Sequence, residues 1–450
     1  MAHPDARGNP SASASRAAHA AAEQALWRLM TFYGDPRADL DEAIAADPGW
    51  ALPHAMKAGC LLGLTEAACG PEAAAHLAAA QALAGRAPAR ERAHLAALQH
   101  LADGRWQAAC RVWDELLLEH PRDALALQWA QQWDFHRGDA AGLRQRPARA
   151  LPQWDEADPL FPQVLALYAF GLQECNLRPQ AEEVGRRALA LDARTPWATH
   201  AVAQVMEMQG RFEEGAAWLR QQREDWAEGN GLAPHLWWHQ GLFRLEALDT
   251  AGALRLLDSH LSGSALALGL HRLDAASLLW RLHLLGEDVA ARSAALLADW
   301  APEEAEAGHS AFNDLHRLLA MLAAQALPRA EAWLARCARR ALAAPDTRRD
   351  SHAVAREVGL PLMRGLLAYA HGDADGAAEL IYPLRGPAQR LGGSQAQRDL
   401  VDQTLLAAAA LGHHRALGRA LVNERLMAKP ATPLTRHWQE RLALPLKERA

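Results

Sequence analysis

Residues 169–215 read AFGLQECNLRPQAEEVGRRALALDARTPWATHAVAQVMEMQGRFEEG, and their spacing decides the fold. Ala169 and Ala181 stand 12 residues apart, and Ala203 and Gly215 repeat that step. From Ala181 to Gly215 is one 34-residue period. A tetratricopeptide unit is two antiparallel helices over about 34 residues, with a small residue in each helix where the backbones approach. Gly210 marks the turn inside one such unit, and Leu191-Asp192 closes the one before it.

The pattern extends in both directions. Ala97 and Ala109 have the same spacing, with Asp103-Gly104 at the turn and Pro121 at the exit. Gly241 with Ala253, and Gly365 with Ala377 about Gly372-Asp373, repeat it more loosely. A last pair over 405–426 turns at Gly412. No sustained period-2 run of Val, Ile or Thr predicts a strand. The expected fold is all-α: a TPR-like α-solenoid, a right-handed superhelix of antiparallel helix pairs that bury their apolar faces on one another. A generic helical bundle with chance spacing in an Ala-rich chain is the alternative. Interruptions are expected at 144–158, 262–269, 300–308 and 343–351. The first carries Pro147 and Pro152, and proline stops a helix. Residues 1–16 are polar and read as a disordered tail, leaving 17–450 as a single helical-repeat domain.

Composition narrows the function. Of 450 residues 50% are hydrophobic and 22% charged, as in a globular chain. Lys+Arg is 47 against Asp+Glu 53, a net charge of -6. Phosphate binding needs clustered cations, so neither nucleic acid nor an anionic membrane is expected as partner. No apolar run nears the roughly 20 residues of a membrane helix. The five cysteines are scattered and form no C-x-x-C pair, which points to a reducing cytoplasm and away from a disulfide framework or structural zinc.

Ligands bind on the inner surface of a solenoid, so polar residues stacked at i, i+4 and i+7 on apolar helices are the candidates. His200, Gln204 and Glu207 form one such stripe. His235 and His239 form another, continued by Glu246; Leu236 after the first His excludes H-E-x-x-H. Asp274 and Arg281 share a stripe on an apolar helix, where charges are costly unless satisfied or used. Asn313 and His316 flank the apolar face of Phe312, Leu315 and Leu319, with Asp314 between them. Ser394 and Gln397 make a capping box after Gly392-Gly393, and exposed N–H groups there with Arg398 could hold a carboxylate or phosphate. Each feature also has a structural reading: histidines as inter-helix contacts, Trp237, Trp238 and Trp280 as core, Asp274 with Arg281 as a salt bridge, Glu207 as a brace for its turn, Ser394 as a cap.

These segments resemble the tetratricopeptide repeat protein 38 family. The likeness runs through Phe32-Tyr33-Gly34-Asp35-Pro36, Asp47-Pro48 and His54. It continues in Thr199-His200-Ala201-Val202, Glu207-Met208-Gln209-Gly210-Arg211, His235 to His239 with Leu242-Phe243, Asp274 to Arg281, Phe312 to His316 and Gly392 to Asp399. It covers nearly the whole chain in order. It implies a helical-repeat protein and settles no activity. The family pattern carries a further His where this chain has Gln204, and another where it has Gln395. Gln is a poor zinc ligand, so these departures weaken a shared metal site.

The leading expectation is a binding scaffold for a protein or peptide partner or a small polar ligand. Its candidate set is His200, His235, His239, Asp274, Arg281, Asn313, Asp314, His316, Ser394, Gln397 and Arg398. Asn313, His316 and Arg398 would hold a peptide carboxylate or backbone. The alternative is a hydrolase or lyase. In it His200, His239 and His316 do acid or base work, and Asp274 and Asp314 orient an imidazole. No cofactor is expected. A metal-assisted variant would use His235 or His239 with His200 and a carboxylate. G-x-S-x-G, phosphate-loop and dinucleotide motifs are absent. Self-association is a third possibility, with the amphipathic 435–450 as an end cap.

Overall fold

The structure, a computed structural model, describes residues 3–298, 300, 303–343 and 349–443. Among them α-helices are joined by short turns, and the isolated bridge between Tyr33 and Asn230 is the sole β feature. The chain divides into two compact units where a single domain was expected. One holds Met1–Val202, Gln222–Ala233 and Arg348–Asp350, the other Ala203–Gln221, Pro234–Thr347 and Ser351–Ala450. Each has its own apolar core. In the first, Trp113, Trp129, Leu98 and Val164 are buried together; in the second, Trp238, Trp280, Trp333 and Leu319 are.

Every helix pair read from the spacing is present. Ala89–Ala102 turns into Trp106–Glu119, and Phe161–Glu174 into Arg178–Leu191. Pro196–Met208 precedes Phe212–Gln221, and Ala233–Glu246 precedes Thr250–His260. Leu360–Ala370 precedes Ala374–Ile381, and Gln395–Leu411 precedes Arg415–Ala428. The small residues sit where the argument needs them: Ala97, Ala109, Ala169, Ala181, Ala203, Ala253 and Ala377 are all 0% exposed. A methyl is the largest group that fits between helices in such contact, which is why a 12-residue spacing of alanines is legible as a pair.

Two expectations fail for identifiable reasons. Pro147 does not end its helix but lies inside Ala140–Ala150. A mid-helix proline removes the hydrogen bond to the carbonyl four residues earlier, here Leu143. Gly171 of the next helix backs onto that carbonyl so closely that a Cβ would lie 2.3 Å from the Leu143 oxygen. Because the obstacle is backbone, Gly171→Ala is expected to lower stability by about 1–3 kcal/mol, read from a lower urea midpoint with unchanged slope.

The N-terminal segment is the second case. It packs onto the first unit through polar contacts, which composition conceals. Arg7 bridges Glu23 at 2.7 Å and Asp158 at 3.2 Å. The Ser13 hydroxyl donates to Asp47 at 2.6 Å, and the Ala12 N–H to Glu91 at 3.0 Å.

Of the other interruptions, 262–269 contains the 3-10 turn Gly263–Leu266, and 300–308 contains the short helix Glu303–Glu306. Residues 344–348, within the last interruption, lie outside the described residues, as do 444–450 beyond the terminal helix Pro433–Ala443. No helix among the described residues is long and apolar enough to cross a membrane.

Candidate functional site

In the second unit, four helices bring most of the candidate residues together: Ala233–Glu246, Gly269–Leu284, Ala311–Ala323 and Gln395–Leu411. Asp274 is the hub. One carboxylate oxygen takes the Nδ1–H of His235 at 2.7 Å, and the other takes the side-chain amide of Gln397 at 3.2 Å. A carboxylate can only accept, so His235 carries its proton on Nδ1. Burial pushes the Asp274 carboxyl up, but His235 and the Gln397 amide hold it below the ordinary range.

Gln397 is itself fixed by the capping box. Its Oε1 accepts the Ser394 N–H at 2.9 Å, and its own N–H donates to the Ser394 hydroxyl at 3.2 Å. The box read from the sequence is present, and its glutamine reaches Asp274 as well. The helix start it closes is buried and bonded inward, so it is not the open anion site anticipated. Arg398 donates to the carbonyls of Gly392 and Gly393 and braces that turn. Gly393 has φ +76, and a Cβ there would meet the Phe312 ring at 2.5 Å. Glycine is therefore required both by conformation and by space.

Arg281 is 0% exposed and does not turn to Asp274. Its guanidinium donates to the carbonyls of Ala396 at 2.8 Å, Gln397 at 3.3 Å and Ser277 at 3.2 Å, and lies over the Trp238 ring at 5.6 Å. Burial pulls it below the ordinary guanidinium range. Trp238 and Trp280 are core, as their structural reading held, with indole N–H groups on Ser277 and Thr404. His239 donates its Nδ1–H to Glu207 at 3.1 Å, and burial lowers its affinity for a second proton. Glu207 therefore orients an imidazole besides lying near its turn.

His316 donates Nδ1–H to the Phe312 carbonyl at 2.8 Å, which leaves Nε2 as a buried lone pair with no hydrogen-bond partner. Burial lowers its pKa to about 4. Asn313 is half-buried, its N–H capped by Ser310 at 3.5 Å.

Asp314 and Glu246 serve other contacts. Asp314 accepts the Gly308 N–H at 3.1 Å from both oxygens, and burial pushes its carboxyl up to about 7. It buttresses a turn and orients no imidazole. Glu246 is held by Arg425 at 2.9 Å, Lys429 at 2.8 Å and Thr432 at 2.6 Å, a structural knot. His200 belongs to the first unit, where it stacks on Trp197 with centroids 4.7 Å apart and meets Phe170 at 5.4 Å.

The first unit holds a network that the sequence reading missed. Asp123 accepts from Arg90 at 2.6 Å and from His94 Nε2 at 3.1 Å, while Trp113 donates to His94 Nδ1 at 3.2 Å. Burial pushes the Asp123 carboxyl up, but Arg90 and His94 hold it far below the usual range. Arg90 and His94 at i, i+4 on Ala89–Ala102 were the available signal. Close by, a cavity of ≈ 260 Å³ is lined by Asp5, His19, Glu23, Trp50 and Arg90, among others.

His316 and Asp314 give opposite pH dependences. The folded state keeps His316 neutral until about pH 4, so its contribution falls as pH drops from about 6.5 to 4. The folded state keeps Asp314 protonated up to about 7, so its contribution falls as pH rises from about 3.8 to 7. In wild type the two largely cancel. Relative to wild type, His316→Phe should therefore lose stability as pH rises across its window, by about 3 kcal/mol at most, and Asp314→Asn as pH falls across its own, by about 4 kcal/mol at most. Urea midpoints at pH 4.5, 5.5 and 6.5, taken as differences from wild type, test both signs. No known protein-family model matches the chain.

Proposed function

We propose that this chain is a cytoplasmic binding protein of tetratricopeptide type, similar to the tetratricopeptide repeat protein 38 family. Its second unit takes a peptide or a small polar ligand at the His235, Asp274, Arg281, His316 and Gln397 network. One observation carries this reading. The network contains a donor, Arg281 Nε, and an acceptor, His316 Nε2, both buried without a hydrogen-bond partner. Each such group costs about 1–3 kcal/mol, which a ligand that bonds both would recover. A peptide group, carboxamide or protonated carboxyl offers both functions. His235, Asn313 and Phe312 are partly exposed and would form the entrance.

The test is a thermal-shift panel of short peptides with free C-terminal carboxylates, their amides, and small carboxylic acids. At least one class should raise the melting temperature of wild type and fail to do so for His316→Phe. No shift from any class, or an equal shift in the variant, overturns the proposal. The enzyme reading is favoured by the His235–Asp274 pair, whose 2.7 Å contact orients an imidazole as in general-base catalysis. Hydrolysis of a panel ester or amide that is lost in His235→Gln would support it.

A further inference from the structure

We propose that the cavity of the first unit binds a small primary ammonium ion with an apolar body, its charge held at Glu23 and its body seated on Leu52 and Met56.

Several helices and the N-terminal segment build this cavity. His19, Glu23 and Leu26 stand at i, i+4 and i+7 on Arg16–Thr31, so one stripe of that helix lines it. Leu52 and Met56 repeat the i, i+4 step on Ala51–Gly63, and Trp50 precedes that helix. Leu125 comes from Ala124–Arg137 and Arg90 from Ala89–Ala102. Pro4, Asp5, Ala6 and Ser11 supply a further wall. Leu26, Trp50, Leu52, Met56 and Leu125 are each at most 9% exposed, so the interior of the cavity is apolar. Apolar walls with a few placed polar groups are the usual make-up of a small-molecule site. Size limits the ligand. The volume is ≈ 260 Å³. An apolar cavity of about 150 Å³ takes benzene, so about ten heavy atoms fit here.

The polar groups set the ligand's charge. Arg90 is committed: its Nε donates to Asp123 at 2.6 Å, one terminal nitrogen lies 3.4 Å from Asp5, and the other donates to the Pro10 carbonyl at 3.4 Å. Asp5 is occupied as well, by the Arg7 N–H at 2.9 Å and by the N–H and side-chain amide of Asn9 at 2.8 and 2.9 Å. Glu23 is the carboxylate with room. Its two oxygens take the Arg7 guanidinium at 2.7 and 3.1 Å, one nitrogen each, and a carboxylate oxygen accepts twice. The side chain is 36% exposed, so its remaining lone pairs are reachable. His19, one turn earlier, donates its Nε2–H to the Ser13 carbonyl at 3.2 Å, and the neutral ring then has Nδ1 as an acceptor. The cavity thus offers acceptors, and an ammonium carries three donors and no acceptor.

The charge balance agrees. Among the described residues, Asp5, Glu23, Glu91, Asp123 and Asp158 share three guanidiniums, Arg7, Arg90 and Arg122. Glu91 is buried directly behind the Trp50 wall. Its Oε1 accepts the Trp50 indole N–H at 2.9 Å and the Ala12 N–H at 3.0 Å, while its Oε2 is a buried acceptor with no hydrogen-bond partner. The excess of carboxylates in a region of low dielectric favours a cation and opposes an anion. Trp50 adds an aromatic wall of the kind that suits cations best.

Calorimetric titration of the full chain with 2-phenylethylammonium tests this, with 2-phenylethanol and phenylacetate as neutral and anionic counterparts of like size. Wild type should bind one equivalent of the ammonium, at least tenfold more tightly than either counterpart. Glu23→Gln should weaken that binding at least tenfold, and the fold should hold because Arg7 keeps Asp158. Leu52→Trp, which fills the cavity, should abolish it. Circular dichroism shows whether each variant is folded. Ala22→Leu fills the same space from another helix and replaces Leu52→Trp if that chain does not fold. His316→Phe, in the second unit, should bind the ammonium normally, so this site and the one proposed there fail separately. No binding by wild type, the alcohol bound as tightly as the ammonium, or binding undiminished in the folded cavity-filling variant overturns the proposal.

Discussion

Arg281→Met is expected to destabilise the second unit by about 3–5 kcal/mol, the largest single effect in that unit. The side chain is fully buried, and its guanidinium joins two helices that are distant in sequence. Its bonds to the Ala396 and Gln397 carbonyls clamp the first turn of Gln395–Leu411 against Gly269–Leu284. That turn also delivers Gln397 to Asp274, so the loss propagates to the hub. A cation at a helix N-terminus is opposed by the macrodipole. What keeps it there is the set of nearby carboxylates, chiefly Asp399, Glu207 and Asp274. Removing the cation alone leaves those carboxylates buried with less compensation. Removing a carboxylate together with it should cost less than the separate losses added. The decisive measurement is a double-mutant cycle of Arg281→Met with Asp274→Asn, from urea unfolding followed by tryptophan fluorescence. A coupling of about 1–3 kcal/mol is expected. A single-variant loss below about 1 kcal/mol would mean that methionine packs as well as the guanidinium does, as some apolar replacements of buried ions do.

Much of this architecture could be read from one-dimensional spacing, and the reason is steric. Ala169, Ala181 and Ala203 are small because a neighbouring helix leaves no room, and that constraint recurs at a fixed interval. The i, i+4 placement of His235 and His239 on one helix and the capping box at Ser394 were legible because each is a local feature of the chain. What the pattern could not supply is pairing across the chain. His235 and Asp274 are 39 residues apart, and Asp274 and Gln397 are 123 apart. Stripe logic coupled Asp274 to Arg281 because they share a helix, whereas the fold gives each a partner on another helix. Asp314 illustrates a further limit. Sequence placed it among site residues, but its rotamer takes it to the Gly308 turn. The N-terminal segment was misread because burial there rests on Arg7, Ser13 and Asp5, and polar composition resembles that of a free tail.

Asp123→Ala should cost the first unit at least as much as the loss of Arg281 costs the second. Three functions converge on this carboxylate. It caps Ala124–Arg137 by accepting the Ala126 N–H at 3.0 Å, it pairs with Arg90 at 2.6 Å, and it takes the Nε2–H of His94 at 3.1 Å. The tautomer follows from Trp113, because an indole N–H only donates and His94 Nδ1 must accept it. Losing the cap costs about 1 kcal/mol, and stranding the buried guanidinium about 3–5 kcal/mol. Asp123→Asn separates the two. It keeps an acceptor for the cap and removes the charge, so its loss should be smaller than that of alanine by about the cap alone. Arg90 also contacts Asp5 at 3.4 Å, so the N-terminal segment should loosen in both variants and become the first site of limited proteolysis. The pH dependence gives an independent check. The folded Asp123 carboxyl titrates far below its ordinary value, so its contribution is complete above the ordinary value and is lost only as pH falls through the depressed one. The gap between wild type and Asp123→Ala should therefore stay constant from pH 8 to about 5 and begin to close only below about pH 4. A gap that closes already between pH 7 and 6 would place its origin in an imidazole and overturn this account of Asp123.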